Sequence, residues 1–542
     1  MTSRPRPRFL PAGDGAVVIE LGNAIDAELN ARVRAVDLAL AREPFDGYLE
    51  AVPTYRSLLV FYDSRRCTLA AIREHLAKLG TRASGSKLPR ARTKRVPVVY
   101  DGEDLDEVAR TIGTSSKEVV RLHSEREYLV YMVGFTPGFA YMAETDPKLA
   151  LPRRATPRTR VPAGSVAIAM GQTGIYPSPT PGGWHLLGRA EHRALFDLNT
   201  DPPSFFVSGD RVRFVPVDAL PDLVGAATNR VGATTPSRVA AVVEDGGLLT
   251  TIQDLGRFGY QRYGVPVAGA MDATALRAAN ELVGNDPGAA ALECTVNGPR
   301  LRFVQTAVVA ITGADLAAVV ERTDLGVWRV PPWSSFLVRP GNTLRFEGRR
   351  TGARAYVAFA GGIDVPEVLG SRSTYLTGGF GGYEGRPLRA GDRLGAGPPG
   401  RRVAPGSRLS PRPEPSEAML RVILGPQQDH FTDEALETLA TATYTVAAAS
   451  DRMGYRLDGP MLHHAGPKEI VSDGMVLGAI QVPPNGLPIV MMADRATTGG
   501  YPKIATVTSA DIAKLAQLVP GDRVRFAPVA LDETRAQTMT RP

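Results

Sequence analysis

The chain carries 63 basic residues, of which only eight are lysine, and one of these, Lys503, follows the segment Gly499-Gly500-Tyr501-Pro502. A glycine pair lets backbone N–H groups approach an anion closely. A lysine just beyond it supplies a compact positive charge or, with its pKa lowered, a base. Asp494, Arg495, Thr497 and Thr498 lead into the same segment. The expectation is a cleft in which Lys503 meets Asp494 and Asn280, with Asp272 nearby; a solvated lysine after a turn is the plainer alternative. Leu276, Asn280 and Val283 share one helical face. A buried amide left unsatisfied costs roughly 1–3 kcal/mol, so Asn280 either ties its helix to a strand or holds a ligand. Gln253, Asp254 and Arg257 lie in a turn-rich stretch, where Asp254 is either an Asx-turn residue or the charge partner of Arg257.

A second group lies earlier in the chain. Gly134-Phe-Thr-Pro-Gly-Phe-Ala-Tyr-Met142 is punctuated by glycine and proline and rich in aromatics. It reads as a turn packing three rings, or as a loop presenting backbone N–H groups beside an aromatic floor. Gly134, Phe135, Pro137 and Gly138 are its binding candidates. Arg153, Arg154, Arg158 and Arg160 offer bidentate guanidinium groups for a carboxylate or phosphate, Arg154 and Arg160 foremost, with a solvated basic face as the plainer alternative. Gly164, Ser165, Tyr176, Gly183 and Trp184 complete this group. In the later segment, Thr497, Gly499, Gly500 and Tyr501 join Gln253, Asp254 and Arg257 as binding candidates.

Several chemistries have no signature here. There is no G-x-x-x-x-G-K-[ST] phosphate loop, no H-E-x-x-H and no G-x-S-x-G. No Met-Lys-Met biotin-attachment site and no amidase-type Gly/Ser run occur. His463-His464 stands apart from other ligand types, and no metal site is expected. The only cysteines, Cys67 and Cys294, are far apart, which excludes a disulfide framework and fits a reducing cytoplasm. The formal charge of +7 rests on scattered arginines rather than a basic stripe, so no nucleic-acid partner is expected. No long uncharged apolar run marks a membrane span, and Met1–Gly13 lacks a signal-peptide core.

The elements that must position these residues are mostly strands. Glycine (56) and proline (44) are abundant, which favours many turns over long helices. Residues 1–95 read as a small α/β domain of order β-α-β-β-α, with Leu29, Val33, Val36 and Leu40 on one helix face. Residues 96–217 read as short strands between turns, closing at Gly209-Asp-Arg-Val-Arg-Phe214. A linker (218–238) precedes a module at 239–400, a Pro/Arg/Gly-rich linker (401–416), a last module at 417–528 and a tail (529–542). Helices are expected from Asp272 to Val283 and from Ser509, as N-cap, to Val519. The closing segment at 208–217 is echoed at Pro520–Val529 and more weakly at Ala390–Leu394. This points to three related β-barrel modules, each ending in the same strand; the plainer alternative is convergence on a Gly-Asp turn leading into a closing strand. The fold class is mainly β with α/β elements: several barrel modules plus the small N-terminal domain.

The motifs Gly134–Met142, Pro152–Ser165, Tyr176-Pro177, Pro181–Trp184 and Gly209–Phe214 together resemble the allophanate hydrolase subunit 1 family. That family includes the kinase inhibitor KipI and the B component of 5-oxoprolinase. Residues 239–528 resemble the companion subunit 2 family, which includes KipA and the C component of 5-oxoprolinase. Their signatures here are Thr250–Tyr260, Gly264–Asp272, Leu292-Glu293, Ala360–Ile363 and Ala493–Pro502. The resemblance covers almost the whole chain, as a fusion of two usually separate proteins. It implies cyclophilin-like barrels and ATP-dependent opening of 5-oxo-L-proline to L-glutamate, with ATP (and Mg²⁺) as co-substrate. It also implies a partner on a separate chain, the A component of 5-oxoprolinase. A homo-oligomer is compatible with it. Two other readings stay open: a kinase-regulating binding protein, and a carboxyltransferase component of a urea-carboxylase-like system whose biotin would sit on another chain.

Overall fold

The computed structural model describes residues 7–83, 88–192, 195–220, 236, 238–410 and 417–534. Most of the linker read at 218–238, the stretch 411–416 of the linker read at 401–416, and 535–542 of the tail read at 529–542 lie outside the described residues.

The helix Ala27–Arg42 starts where Asp26 accepts the Leu29 N–H at 2.6 Å. It buries Leu29, Val33 and Leu40 against an antiparallel sheet ordered Arg8–Pro11, Ala16–Glu20, Ser57–Tyr62, Tyr48–Pro53. The first strand of that sheet was not expected. Asn30 and Asp37 are also buried on this helix, although a polar pattern assigns such residues to solvent.

Two closed seven-stranded barrels follow the same plan. In the first, Arg211–Pro216 runs parallel to Thr93–Val99 and antiparallel to Tyr128–Val133. In the second, Arg523–Pro528 runs parallel to Glu417–Leu424 and antiparallel to Thr443–Val446. The two Gly-Asp-Arg-Val-Arg-Phe segments therefore occupy equivalent closing strands. Each begins with the same bracket. Gly209 and Gly521 have φ of 99° and 95°, and Asp210 and Asp522 accept the Val207 and Val519 N–H groups at 3.1 and 2.9 Å. The weaker copy has that bracket too: Gly391 has φ 93° and Asp392 accepts from Arg389 N–H at 2.8 Å. Its strand, Arg393–Ala396, pairs antiparallel with both neighbours, so the turn is shared and the topology is not. A fourth bracket, Pro340-Gly341-Asn342, was missed because asparagine replaces aspartate; Asn342 accepts from Arg339 N–H at 2.9 Å.

The module between the barrels corrects the expectation of a third barrel. Among the described residues it consists of a seven-stranded and a five-stranded open sheet packed over one core. The physical reason is a third layer. The helix Ala273–Leu282 covers the far face of the five-stranded sheet, packing Leu276 and Ala279 on Ala310, Tyr356 and Ala358. Neighbouring residues Val309, Ile311, Val357 and Phe359 face the other sheet. A sheet with two apolar faces needs cover on both sides rather than closure on itself.

The late helix is also shorter than expected, Ile512–Ala516, and Ser509 does not cap it. Ser509 donates through its backbone and hydroxyl to Asp14, in the N-terminal domain, at 3.0 and 2.6 Å. No helix of the described residues is long and apolar enough to cross a membrane.

Candidate functional site

The strand Lys503–Val507 carries Lys503 into the body of the second barrel, where the residue is 2% exposed. Its ammonium lies 3.8 Å from the Asp473 carboxylate and has no hydrogen-bond partner among the described residues. Burial pushes the Lys503 pKa below its usual 10.5, nearby Arg56 lowers it further, and Asp473 opposes them. Asp473 is gripped from the other half of the chain. The Ser57 hydroxyl donates to its Oδ1, and Thr54 Oγ1 lies 3.5 Å away. From its own barrel, Gln427 approaches Oδ2 at 3.4 Å while its Oε1 accepts the Lys503 N–H at 3.3 Å.

The glycine-bearing segment stands over this pair. Thr498–Gly499 forms a two-stranded ladder with Asp473–Gly474. A Cβ on Gly499 would lie 2.5 Å from Gln481 Nε2, which points toward the Tyr501 carbonyl at 3.4 Å. The first barrel closes on it from the opposite side. A Cβ on Gly134 would lie 2.5 Å from Thr498, so only glycine allows the two halves to approach there. Thr498 Oγ1 is 3.4 Å from Tyr141 Oη, and Arg153 lies against Gly500, with Glu469 at 3.7 Å. Behind Tyr141 the rings of Phe135, Phe139, Tyr176 and Trp184 meet edge to face at 4.8–6.1 Å. Lys503 and Asp473 form a buried floor, while Phe135, Arg153, Gly499, Gly500 and Tyr501 are half-buried above it.

The structure thus unites Lys503, Thr498, Gly499, Gly500, Tyr501, Gly134, Phe135, Tyr176 and Trp184. It does not bring Lys503 to the other catalytic candidates. Asp494 accepts both ends of the Arg452 guanidinium fork at 2.9 and 3.1 Å, and Arg452 also reaches Glu293. Asn280 donates to the Ala289 carbonyl at 2.7 Å and accepts from Asn285, tying its helix to the following loop. Asp272 caps the same helix at Ala275 and accepts from Gln517 at 2.9 Å. These are partners for helix ends and module contacts, which is where polar groups must go once buried.

Several binding candidates are likewise structural. Arg154 pairs with Asp104 and Glu107 at 2.9 and 3.0 Å, and Arg160 is exposed. Gly138 donates to the Tyr263 carbonyl at 3.0 Å, so the Pro137-Gly138 turn serves the contact between halves. Gly164 and Ser165 form the turn and strand start beside Tyr176, and the Gly183 carbonyl accepts from Arg154 N–H. Asp254 accepts from Gly256 N–H, Ser371, Arg372 N–H and Ser373, the Asx-turn role rather than an ion pair. Gln253 donates to Thr251 and to the Thr374 carbonyl, and Thr497 is buried with its carbonyl accepting from Met475 N–H. Arg257 is fully buried against the Phe380 ring, 5.1 Å away, and burial pulls its pKa down to about 10.

Sequence reasoning missed Asp473, Ser57, Thr54, Gln427 and Gln481; of the arginine run it is Arg153, rather than Arg154 or Arg160, that reaches this site. The available signal was slight: Ser472-Asp473-Gly474 and Thr54–Ser57 are polar clusters that read as ordinary turns. Among the described residues no group of three or more His, Cys, Asp or Glu is placed to hold a metal ion.

Two halves, each closing a barrel and sharing one buried lysine site at their seam, define a two-part carboxyltransferase-type architecture. Residues 7–206 match the family described as carboxyltransferase domain, subdomain C and D, and residues 263–528 match carboxyltransferase domain, subdomain A and B. The chain belongs to this carboxyltransferase-domain family, with both parts on one polypeptide. It is 39% identical over 293 residues to the C component of 5-oxoprolinase from Escherichia coli K12, covering 53% of this chain and 90% of that one. It is 38% identical over 220 residues to the B component of 5-oxoprolinase from Bacillus subtilis 168, covering 38% of this chain and 90% of that one. The crystal structure of TTHA0988 superposes with a TM-score of 0.84 at 39% identity, covering 94% of this chain and 99% of that chain.

Proposed function

We propose that the chain is the fused B and C components of a cytoplasmic, ATP-dependent 5-oxoprolinase, a hydrolase that opens 5-oxo-L-proline to L-glutamate together with a separate A component. The observation that carries this reading is that the Lys503–Asp473 pair is assembled from both halves, Thr54 and Ser57 from the B-like part and Gln427 from the C-like part. The two halves are similar to two components of one enzyme, and a site shared between them is what linking them would preserve.

The residues suit the substrate's chemistry. Arg153 offers a guanidinium fork for a carboxylate, and the Phe135–Trp184 cluster offers an apolar wall for a five-membered ring. A lactam carbonyl is a poor electrophile. Transfer of the ATP γ-phosphoryl group to the lactam oxygen, releasing ADP, makes the ring carbon attackable by water; ring opening and loss of phosphate then give glutamate. Lys503, whose pKa burial lowers from its usual 10.5, serves this sequence by taking a proton or, when protonated, by stabilising negative charge on the oxygen. Asp473 fixes its position.

The test is to purify the chain with and without an A component and to follow ATP-dependent glutamate release. Turnover is expected only with both present. Release by the isolated chain at the full rate, or none with any A component, defeats the proposal. A carboxyltransferase role is the second reading, favoured by the match of both halves to carboxyltransferase subdomains. It predicts carboxyl transfer from carboxybiotin without the A component.

A further inference from the structure

A cleft of about 630 Å³, lined by neither Lys503 nor Asp473, opens between the helix Ala27–Arg42, the chain entering the first barrel at Pro89–Lys94, the loop 197–210 and Arg262-Tyr263 of the second half. Five cations line it: Arg34, Arg90, Arg92, Lys94 and Arg262. Three carboxylates do so too: Asp37, Asp197 and Asp210. Each carboxylate is already engaged. Asp37 accepts from Arg262. Asp210 accepts Val207 N–H and sits 3.3 Å from Lys94. Asp197 accepts the backbone and side-chain amides of Asn199 at 2.9 Å. No carboxylate among the described residues pairs with Arg34, Arg90 or Arg92.

Arg34 is the built part of this cleft. Its Nε donates to Asn30 Oδ1 at 3.2 Å, and Asn30, 0% exposed, is itself fixed by the Thr54 and Tyr131 carbonyls at 3.0 and 3.2 Å. Its Nη1 lies over Gly209, where a Cβ would come within 2.2 Å, so the glycine of the closing turn keeps space for the guanidinium. The side chain is half-buried, and both burial and neighbouring Arg211 work against its charge. A fixed, partly desolvated cation facing other cations is costly unless an anion completes it. Three unmatched guanidinium groups around one cavity fit an anion with several charged oxygens, and guanidinium forks match phosphate geometry. Phe205 is 40% exposed beside them, with Lys94 4.0 Å over its ring.

We propose that this cleft is a binding site for a small oligophosphate anion, separate from the Lys503 site. Such a ligand is either a free oligophosphate or the phosphate tail of a nucleotide, and the experiment distinguishes them. Calorimetric titration of the full chain uses tripolyphosphate, ATP and citrate. Tripolyphosphate is expected to bind with an affinity that falls as salt rises. Arg92→Gln and Arg90→Gln, on exposed side chains, and Arg34→Gln should each weaken it roughly tenfold or more. Melting temperatures should stay unchanged in the first two. ATP binding lost in the same variants assigns a nucleotide; tripolyphosphate binding without ATP binding assigns a free oligophosphate. Lys503→Met should leave this binding intact, which separates the proposal from the catalytic one. Equal affinity in the parent and the variants, no binding of either phosphate compound, or citrate binding as tightly as tripolyphosphate overturns it.

Discussion

Lys503 takes its character from groups hundreds of positions away in sequence, and this limits how much of the site could be read from sequence. The Gly499–Lys503 segment announced itself, because a glycine pair before a rare lysine is a local pattern. Its partners did not: Asp473 joins Ser57 across more than 400 residues, and nothing in Ser472-Asp473-Gly474 separates a charge partner from a turn. Because the lysine is buried, its loss removes packing as well as charge, so Lys503→Met, which keeps the stem volume, is the better probe. With the A component present, Lys503→Met is expected to lower turnover on the order of 10²-fold or more. Lys503→Arg should be impaired too, since a planar fork does not fit a space shaped for an ammonium. The same residue sets a pH dependence. Between its lowered folded pKa and 10.5 the unfolded lysine holds a proton that the folded one lacks, so stability rises with pH across that window. The parent should show this rise in denaturant titrations and Lys503→Met should not. A paired prediction separates the two arginines of one dipeptide. Arg153→Ala should raise KM with the fold intact, because Arg153 faces Gly500. Arg154→Ala should leave KM unchanged, because Arg154 is spent on Asp104 and Glu107. A KM increase of similar size in both variants removes Arg153 from the site.

The elements were legible where their signals are local. Asp272 caps the helix its position suggested, and the Gly-Asp bracket was visible because a positive φ and an Asx acceptor leave a fixed sequence trace. Legibility failed where a distant partner takes the local group, as Asp14 takes Ser509, and where a third layer decides between barrel and open sheet. The first barrel's closing strand also hides a polar anchor that no motif reveals. His123, on the helix Ser116–Ser124, is 0% exposed and stacks on Phe214 at 4.6 Å between ring centroids. Its two ring nitrogens meet Tyr100 Oη at 2.7 Å and Thr173 Oγ1 at 2.8 Å. Burial lowers its pKa from 6.5 to about 3. The unfolded histidine therefore gains a proton on acidification before the folded one does. Stability from this residue is complete above about pH 6.5 and falls as pH drops toward about 3, by at most about 1.4 kcal/mol per pH unit. Unfolding measured at about pH 7 and about pH 5 should show a smaller drop in His123→Gln than in the parent. An equal drop would mean that His123 is protonated in the folded barrel.

At the scale of the whole molecule, the two halves are joined by more than their linker. The Arg495 guanidinium donates to Gln261 Oε1 at 2.9 Å, and Gln261 Nε2 donates to Glu50 of the N-terminal domain at 2.7 Å. Ser509 bonds Asp14, Ser57 bonds Asp473, and the Phe196 and Phe380 rings stack across the seam with centroids 6.0 Å apart. The fusion of two halves was readable from the order of motifs, but this interface was not, because each of its bonds pairs residues whose local sequence serves another element. Buried polar bonds of this kind are retained only while both partners are present, since each orphaned group would cost roughly 1–3 kcal/mol. The linker then supplies proximity rather than the contact itself. Residues 1–220 and 238–542 produced as separate chains should therefore co-elute in size-exclusion chromatography at micromolar concentration and regain activity with the A component. Glu50→Ala in the first chain and Arg495→Ala in the second act on one chain of contacts through Gln261. Each should weaken the pair by roughly tenfold or more, and the double variant by less than the product of the two. Separate elution of the unmodified halves would mean that the seam depends on the covalent link, and that the Lys503–Asp473 site is held together by tethering alone.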